Sequence, residues 1–227
     1  PSNSLTSPNH PYLFFTEEQL LQAKNNYERE LDWTHPLRYY QTILANPTLD
    51  SGENRESEKA SYAKQISYKY LLEENVVDAE SAYQVLITAF EGTRLYQSTA
   101  PGGILDRLRT LNNYIRAYSY TEQYIIQEHP ESLPIIQEKI MRQAGSLVVM
   151  LSKDGYNSPY LTGSTRHEAQ FVSALASVAI PDYQSSNTTL CGHDGENTCL
   201  EYVDVSNDGN LNWDSVTSQK IYDYSME

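Results

Sequence analysis

Residues 204–212 read Asp-Val-Ser-Asn-Asp-Gly-Asn-Leu-Asn, and this spacing of oxygen-bearing side chains could hold a calcium ion. In EF-hand-type loops, ligands stand at alternate positions, a backbone carbonyl contributes at position 7, and a glycine at position 6 makes the sharp turn. An Asx-rich loop without metal is the alternative interpretation. The ligands that the pattern predicts are Asp204, Ser206, Asp208, Asn210 and Asn212.

A second group of polar residues, Arg109, Asn113, Arg116 and Tyr120, recurs at helical spacing. Side chains three or four residues apart lie on one face of a helix. Two guanidinium groups with an amide and a phenol could hold a carboxylated sugar, while a solvated helix face is the alternative. The opposite face of this helix is an apolar stripe made of Leu108, Leu111, Ile115 and Tyr118.

Two cysteines, Cys191 and Cys199, bracket a Gly/Asp/Asn-rich loop in a chain that has no other cysteine. This arrangement favours a disulfide, which is typical of an oxidising compartment. A metal site is the alternative, but the spacing fits no common zinc pattern. The polar start at residues 1–5 is like that of a processed chain. We therefore expect a secreted or periplasmic protein.

The overall composition is that of a globular protein with an acidic balance. Hydrophobic residues make up 39% of the 227 residues, and the formal net charge is −14. Nucleic acid is an unexpected partner, because phosphate binding needs a basic surface. No apolar run reaches the roughly 18 residues that a transmembrane helix needs. The 19 tyrosines suit half-buried helix faces or wet binding grooves equally well.

Apolar residues recur at steps of three and four along most of the chain, which predicts a mostly α-helical fold. Each helix has one apolar face, so the helices must cover one another as antiparallel hairpins in an incomplete α/α toroid or helical array. We expect turns at 98–104, a helical domain over 1–180, and a loop-rich segment with a terminal helix over 181–227. The predicted helices span 16–27, 35–44, 55–74, 77–97, 105–128, 133–152, 166–179 and 213–224.

Four segments carry a resemblance to a known family. Residues 10–20 read HPYLFFTEEQL, residues 61–74 read SYAKQISYKYLLEE, residues 111–118 read LNNYIRAY, and residues 165–168 read TRHE before an apolar helix. Together they resemble the helical part of heparinase II/III-type and alginate-lyase-type polysaccharide lyases. The resemblance covers residues 10–180. It implies an α/α toroid that acts on an acidic polysaccharide.

The resemblance also implies a chemistry, namely β-elimination at a uronic acid. This reaction needs a group that neutralises the carboxylate, a base for the C5 proton and an acid for the leaving oxygen. His167 and Arg166 stand in the matching place, and Tyr156 and Tyr160 upstream of them have the other residue types that the reaction needs. The alternative is that His167 only begins a helix and the tyrosines only pack. The alternative function is a non-catalytic extracellular binding or structural protein with a calcium-stabilised loop. A homo-oligomer or further chain segments remain open as partners.

Overall fold

The structure, a computed structural model, describes residues 13–28, 56–90, 101–152, 164–185 and 216–226. In these ranges the chain is mostly α-helical, so the predicted fold class is confirmed at that level. A short 3₁₀ turn, Pro130–Ser132, and two strands of two residues complete the secondary structure there, and the predicted helix at 35–44 lies outside these ranges. The helices are α1 Glu17–Glu28, α2 Glu56–Glu73, α3 Val76–Ile87, α4 Pro101–Glu128, α5 Leu133–Ser152, α6 Ser164–Ala179 and α7 Ser218–Met226.

Helix α1 begins with a side-chain cap at Thr16. The Thr16 hydroxyl accepts a hydrogen bond from the Gln19 backbone N–H at 3.1 Å, and the Gln19 side chain accepts one from the Thr16 N–H at 2.9 Å. This reciprocal pair is a capping box, which satisfies two N–H groups that have no partner within the helix. It fixes the direction in which residues 13–15 enter α1.

Helices α2 and α3 form a hairpin with a link of two residues. Glu74 adopts a left-handed conformation with φ of 57°, and the Asn75 side chain caps α3 by accepting from Val77 N–H at 3.1 Å. So short a link makes the two helices antiparallel neighbours. The sequence predicts apolar stripes on both helices, and most of their residues are buried, while Tyr70 is half-buried. The buried ones include Ala60, Ala63, Ile66, Ala79, Ala82 and Leu86.

Helix α4 is the centre of the array, because it packs against α2, α3, α5 and α6. Tyr68 of α2 contacts Tyr120 of α4, and further toward the C-terminus of both helices Tyr70 contacts Tyr124. The two helices therefore run parallel, and α3 runs antiparallel to both. The predicted stripe of α4 is confirmed: Leu108, Leu111, Ile115 and Tyr118 are fully buried in the main core.

Two predicted boundaries are wrong. A turn is expected at 98–104, but the structure is helical from Pro101 onward. Proline is favoured at the first position of a helix because its φ is already helical and no hydrogen bond is lost there. The helix expected to run to residue 97 ends at Ile87, and residues 88–90 form a turn. The Thr88 hydroxyl bonds back to the carbonyls of Gln84 and Val85 at 3.2 Å, which competes with helix continuation.

The end of the chain joins the same core. Gln184–Ser185 pairs antiparallel with Val216–Thr217, which replaces part of the helix expected at 213–224. The β-branched pair suits a strand, and the Thr217 hydroxyl then accepts from the Lys220 backbone N–H at 3.2 Å. Helix α7 packs on α6 and α5, and Ile221 is fully buried in the main core.

Candidate ligand-binding site

Helices α2 and α4 each carry a cation and, one turn later, a tyrosine. Lys64 precedes Tyr68 on α2, and Arg116 precedes Tyr120 on α4. Because the two helices run parallel, the tyrosines meet across the seam, with ring centroids 6.0 Å apart. Lys64 and Arg116 are close enough to interact electrostatically, and both side chains are half-buried. The seam thus gathers residues that are distant in sequence.

The segment before α1 completes this arrangement with two phenylalanines. The Phe15 ring stacks with Tyr68 and with Tyr120, each at 5.7 Å between centroids and within 30° of parallel. The Phe14 ring meets Tyr120 edge-on at 5.7 Å. Such contacts hold aromatic rings in defined positions. We call the six residues together the cation–aromatic cluster: Phe14, Phe15, Lys64, Tyr68, Arg116 and Tyr120.

Arg116 is held in place by two contacts. Its guanidinium carbon lies 4.6 Å from the centroid of the Phe14 ring, a cation–π contact. Its Nε donates to the Asn112 side-chain oxygen at 3.2 Å. Neither of these partners is negatively charged. The guanidinium therefore keeps its full positive charge and remaining N–H groups for a ligand.

Lys64 is the second cation of the cluster. Among the described residues, its side chain has no hydrogen bond or ion pair, and no carboxylate lies within ion-pair distance of Arg116. Burial lowers the pKa of the Lys64 amine, and the positive charge of Arg116 lowers it further. Burial also raises the pKa values of Tyr68 and Tyr120, so both phenols stay protonated and able to donate.

A second polar group lies where α3 meets the junction of α4 and α5. Glu80 accepts hydrogen bonds from Gln84 at 2.7 Å and from the Tyr124 hydroxyl at 2.7 Å, and it contacts His129 Nε2 at 2.8 Å. These donors, Gln84 first, hold the pKa of the Glu80 carboxyl at about 2. Burial, with the carboxylate of Glu80, raises the pKa of Tyr124. Glu80, which is ionised at neutral pH, therefore anchors the imidazole.

Aromatic stacking completes this second group. The His129 ring lies on the Tyr83 ring with centroids 3.8 Å apart and planes 3° from parallel. The Tyr83 hydroxyl shares a hydrogen bond of 2.9 Å with Ser132, so the stacked pair connects α3 to the 3₁₀ turn. A Glu–His–Tyr set has the residue types of acid–base catalysis. Its geometry also serves to fasten the end of α4.

The structure separates the predicted sugar-binding face of α4 into two parts. Arg116 and Tyr120 belong to the cation–aromatic cluster, and Tyr120 is buried at 5% exposure because Phe14 and Phe15 cover it. Asn113 is half-buried, and Arg109 is exposed. The predicted face is thus covered at one end and open at the other.

The other predicted site residues are less closely connected. His167 and Arg166 lie in the first turn of α6, both exposed, and neither makes a hydrogen bond or ion pair with the residues described. The remaining predicted residues lie outside the described ranges. They are the catalytic candidates Tyr156 and Tyr160, the cysteines Cys191 and Cys199, and the calcium ligands Asp204, Ser206, Asp208, Asn210 and Asn212.

Sequence reasoning missed Lys64, Tyr68 and the pair of phenylalanines. One signal could have found the first two: a cation followed by tyrosine four residues later occurs on both α2 and α4. It also missed Glu80, whose partner His129 is 49 residues away. No spacing rule connects residues so far apart.

The described helices include none that is long and apolar enough to span a membrane. In the same ranges, no three His, Cys, Asp or Glu side chains are grouped as a metal ion would require. Comparisons with protein-family models, with curated proteins and with solved structures find no match. What the fold and the site define is therefore a class: a mostly α-helical array with a cationic, aromatic seam between two parallel helices.

Proposed function

We propose that this is a carbohydrate-active protein that binds an acidic polysaccharide at the cation–aromatic cluster. One observation carries the proposal: Lys64 and Arg116 stand together, half-buried, and share no carboxylate with the residues described, although the chain has a net charge of −14. Two neighbouring cations repel each other, and an anionic ligand relieves that cost. The partly exposed rings of Phe14, Phe15 and Tyr68 beside them leave apolar surface for a sugar.

Binding can be measured directly by calorimetry with oligouronates. Losing a charge-assisted hydrogen bond costs about 1.5–3 kcal/mol, so Arg116→Gln should weaken binding by roughly 10- to 100-fold. Arg142→Gln, which removes a half-buried cation from α5, is the matched control and should bind as the unaltered protein does. Equal affinities for all three proteins would reject the cluster as the site.

The arrangement of helices supports an α/α toroid as the wider architecture of the proposed protein. Helices α2 and α4 are parallel neighbours, and α4 in turn packs against α6. Helix α3 follows α2 in the chain and α5 follows α4, so each is the second helix of a hairpin. In a toroid of hairpins, every second helix belongs to the same layer and runs in the same direction, which fits this pattern.

We further propose, from the resemblance to polysaccharide lyases, that the bound chain is cleaved by β-elimination. His167 at the start of α6 would act as acid or base, with Arg166 beside it. The test is the ultraviolet absorbance of an unsaturated uronate during incubation with alginate, heparin or glucuronan. In an active protein, His167→Ala should reduce the rate by about 10²–10⁴-fold while circular dichroism stays unchanged.

A non-catalytic extracellular protein for adhesion or assembly is the second candidate. The exposure of both His167 and Arg166, without any partner in the described ranges, favours it, because a catalytic base is normally oriented by a neighbour. Secretion, or a periplasmic location, and a calcium-stabilised loop at 204–212 belong to both candidates. Oligouronate binding without an unsaturated product would select the non-catalytic function.

A further inference from the structure

Lys64 differs from the other lysines that the structure describes. Lys24 bonds Glu74, Lys59 pairs with Glu56 at 3.9 Å, and Lys69 pairs with Glu73 and Asp78 at 3.6 and 3.3 Å. The Lys139 amine donates to a backbone carbonyl, and Lys220 also has a partner. Only the Lys64 amine, in this part of the chain, has neither a carboxylate nor a hydrogen-bond acceptor.

The position of Lys64 makes its amine easier to deprotonate than the amine of an exposed lysine. Its side chain is half-buried in the seam between α2 and α4, so water solvates the ammonium ion incompletely. The fixed guanidinium of Arg116 adds a repulsive charge, and both effects lower the pKa of the amine. A neutral amine has a lone pair and is a nucleophile. Lysines placed in apolar pockets or beside another cation are the ones that form Schiff bases with carbonyl compounds.

We propose that Lys64 and Arg116 form a capture site for a carboxylic acid that also carries an aldehyde or ketone. Arg116 would hold the carboxylate, and the Lys64 amine would add to the carbonyl carbon. The C–N bond forms, the carbonyl oxygen takes up protons and leaves as water, and a reversible imine remains. No oxidant or reductant is needed. The inference rests on the proposed function in one respect, because the carboxylate occupies the same anion site.

The aromatic residues of the cluster fit this role. Phe15, which stacks against both Tyr68 and Tyr120, limits the water around the seam. An imine is hydrolysed by water, so partial exclusion of water extends its lifetime. The Asn112 side-chain oxygen accepts a hydrogen bond from the Nε–H of Arg116, which leaves the outer N–H groups of the guanidinium for the carboxylate.

The test uses glyoxylate, an aldehyde acid, and glycolaldehyde, a neutral aldehyde of similar size. Each is incubated with the full chain and cyanoborohydride, which reduces an imine to a stable secondary amine, and the modified lysines are identified by peptide mass spectrometry. We expect Lys64 to be modified several-fold faster than Lys59, and faster by glyoxylate than by glycolaldehyde. Lys59 is the internal control because it lies on the same helix.

The variant Arg116→Gln separates the two parts of the inference, which are carboxylate binding by Arg116 and imine formation by Lys64. It should remove the preference of Lys64 for glyoxylate over glycolaldehyde, with circular dichroism confirming that the helices remain. Lys64 modified no faster than Lys59, or a preference that survives Arg116→Gln, would overturn the inference. The proposed function is judged separately by oligouronate calorimetry: binding without an adduct rejects only the capture site, and an adduct without binding rejects only the polysaccharide site.

Discussion

The buried carboxylate of Glu56 accepts a hydrogen bond of 2.6 Å from the backbone N–H of Phe90, so the first residue of α2 holds the turn that follows α3. The same oxygen accepts from the Tyr114 hydroxyl at 2.5 Å, which ties both elements to α4. Phe90 has φ of 63°, a left-handed conformation that is unfavourable for a residue with a side chain. The Glu56 carboxylate holds that conformation in place.

Phe90 offers a matched pair of substitutions. Its buried ring meets the Tyr114 ring at 5.0 Å between centroids, so Phe90→Ala should lower the free energy of unfolding by about 3–5 kcal/mol. Phe90→Gly loses the same ring but adopts a positive φ without steric cost. We expect it to be more stable than Phe90→Ala by about 1 kcal/mol, measured by urea unfolding. A glycine variant less stable than the alanine variant would show that the left-handed turn carries no strain.

Glu56 tests the hydrogen bonds rather than the ring. Glu56→Ala leaves the Phe90 N–H and the Tyr114 hydroxyl without their buried acceptor, at a cost of about 1–3 kcal/mol each. Glu56→Gln keeps an acceptor oxygen and should cost clearly less. Urea unfolding of the two variants gives the comparison. Equal losses would mean that the charge of Glu56, not its acceptor oxygen, is what the fold uses.

Glu80 should make the stability of the fold depend on pH in the acidic range. Its folded pKa, about 2, lies below the ordinary value of 4.5 for a glutamate, so its contribution to stability is present above pH 4.5 and is lost as the pH falls toward 2. The melting temperatures of the unaltered protein and of Glu80→Gln should therefore differ most near neutral pH and converge near pH 2. Glu58→Gln, which changes an exposed carboxylate on α2, is the control and should show little difference at any pH.

Calcium at 204–212 remains a prediction, and melting curves with calcium and with chelator test it. The loop offers two carboxylates, Asp204 and Asp208, so we expect micromolar to millimolar affinity. Removing calcium should loosen this polar segment and leave the helical signal in circular dichroism unchanged. An identical melting curve, with no heat of binding in calorimetry, would return the segment to an ordinary Asx-rich loop.

The disulfide between Cys191 and Cys199 is likewise a prediction. The ring it closes is short, so the entropic stabilisation should be modest, about 2–3 kcal/mol. Mass spectrometry of the unreduced protein, with and without a thiol-alkylating reagent, distinguishes the bonded from the reduced form. Two alkylated thiols in the untreated protein would contradict the bond.

The sequence predicts the type of element well where the apolar stripe of a helix is long, because one face must be buried. For α4 all four residues of the predicted stripe are fully buried, although the helix begins at Pro101 rather than at residue 105. The prediction fails at Ile87, where the helix ends although apolar residues continue. The causes are a local hydroxyl, that of Thr88, and a carboxylate 34 residues away, that of Glu56. A rule based on the periodicity of apolar residues can include neither of these two causes.

The site was predictable only in part. Arg116 and Tyr120 share a helix, so their spacing reveals that they lie together. Lys64 and Tyr68 join them through the packing of α2 against α4. That packing depends on how the apolar stripes of several helices are buried at the same time. Phe14 and Phe15 enter through the chain direction that the Thr16 cap sets. The unexpected partners thus come from tertiary packing rather than from local pattern.

The cation–aromatic cluster takes two of its rings from the stretch that precedes α1, and that stretch contributes no residue to the helices behind it. Cutting the chain just after Phe15 would remove no residue of α2 or α4, yet it would expose Tyr120 and release the guanidinium of Arg116 from its aromatic support. A protease acting at this one bond could therefore switch ligand affinity without unfolding the protein. The shortened molecule would keep the seam between α2 and α4 but would lose the two phenylalanine rings that cover it.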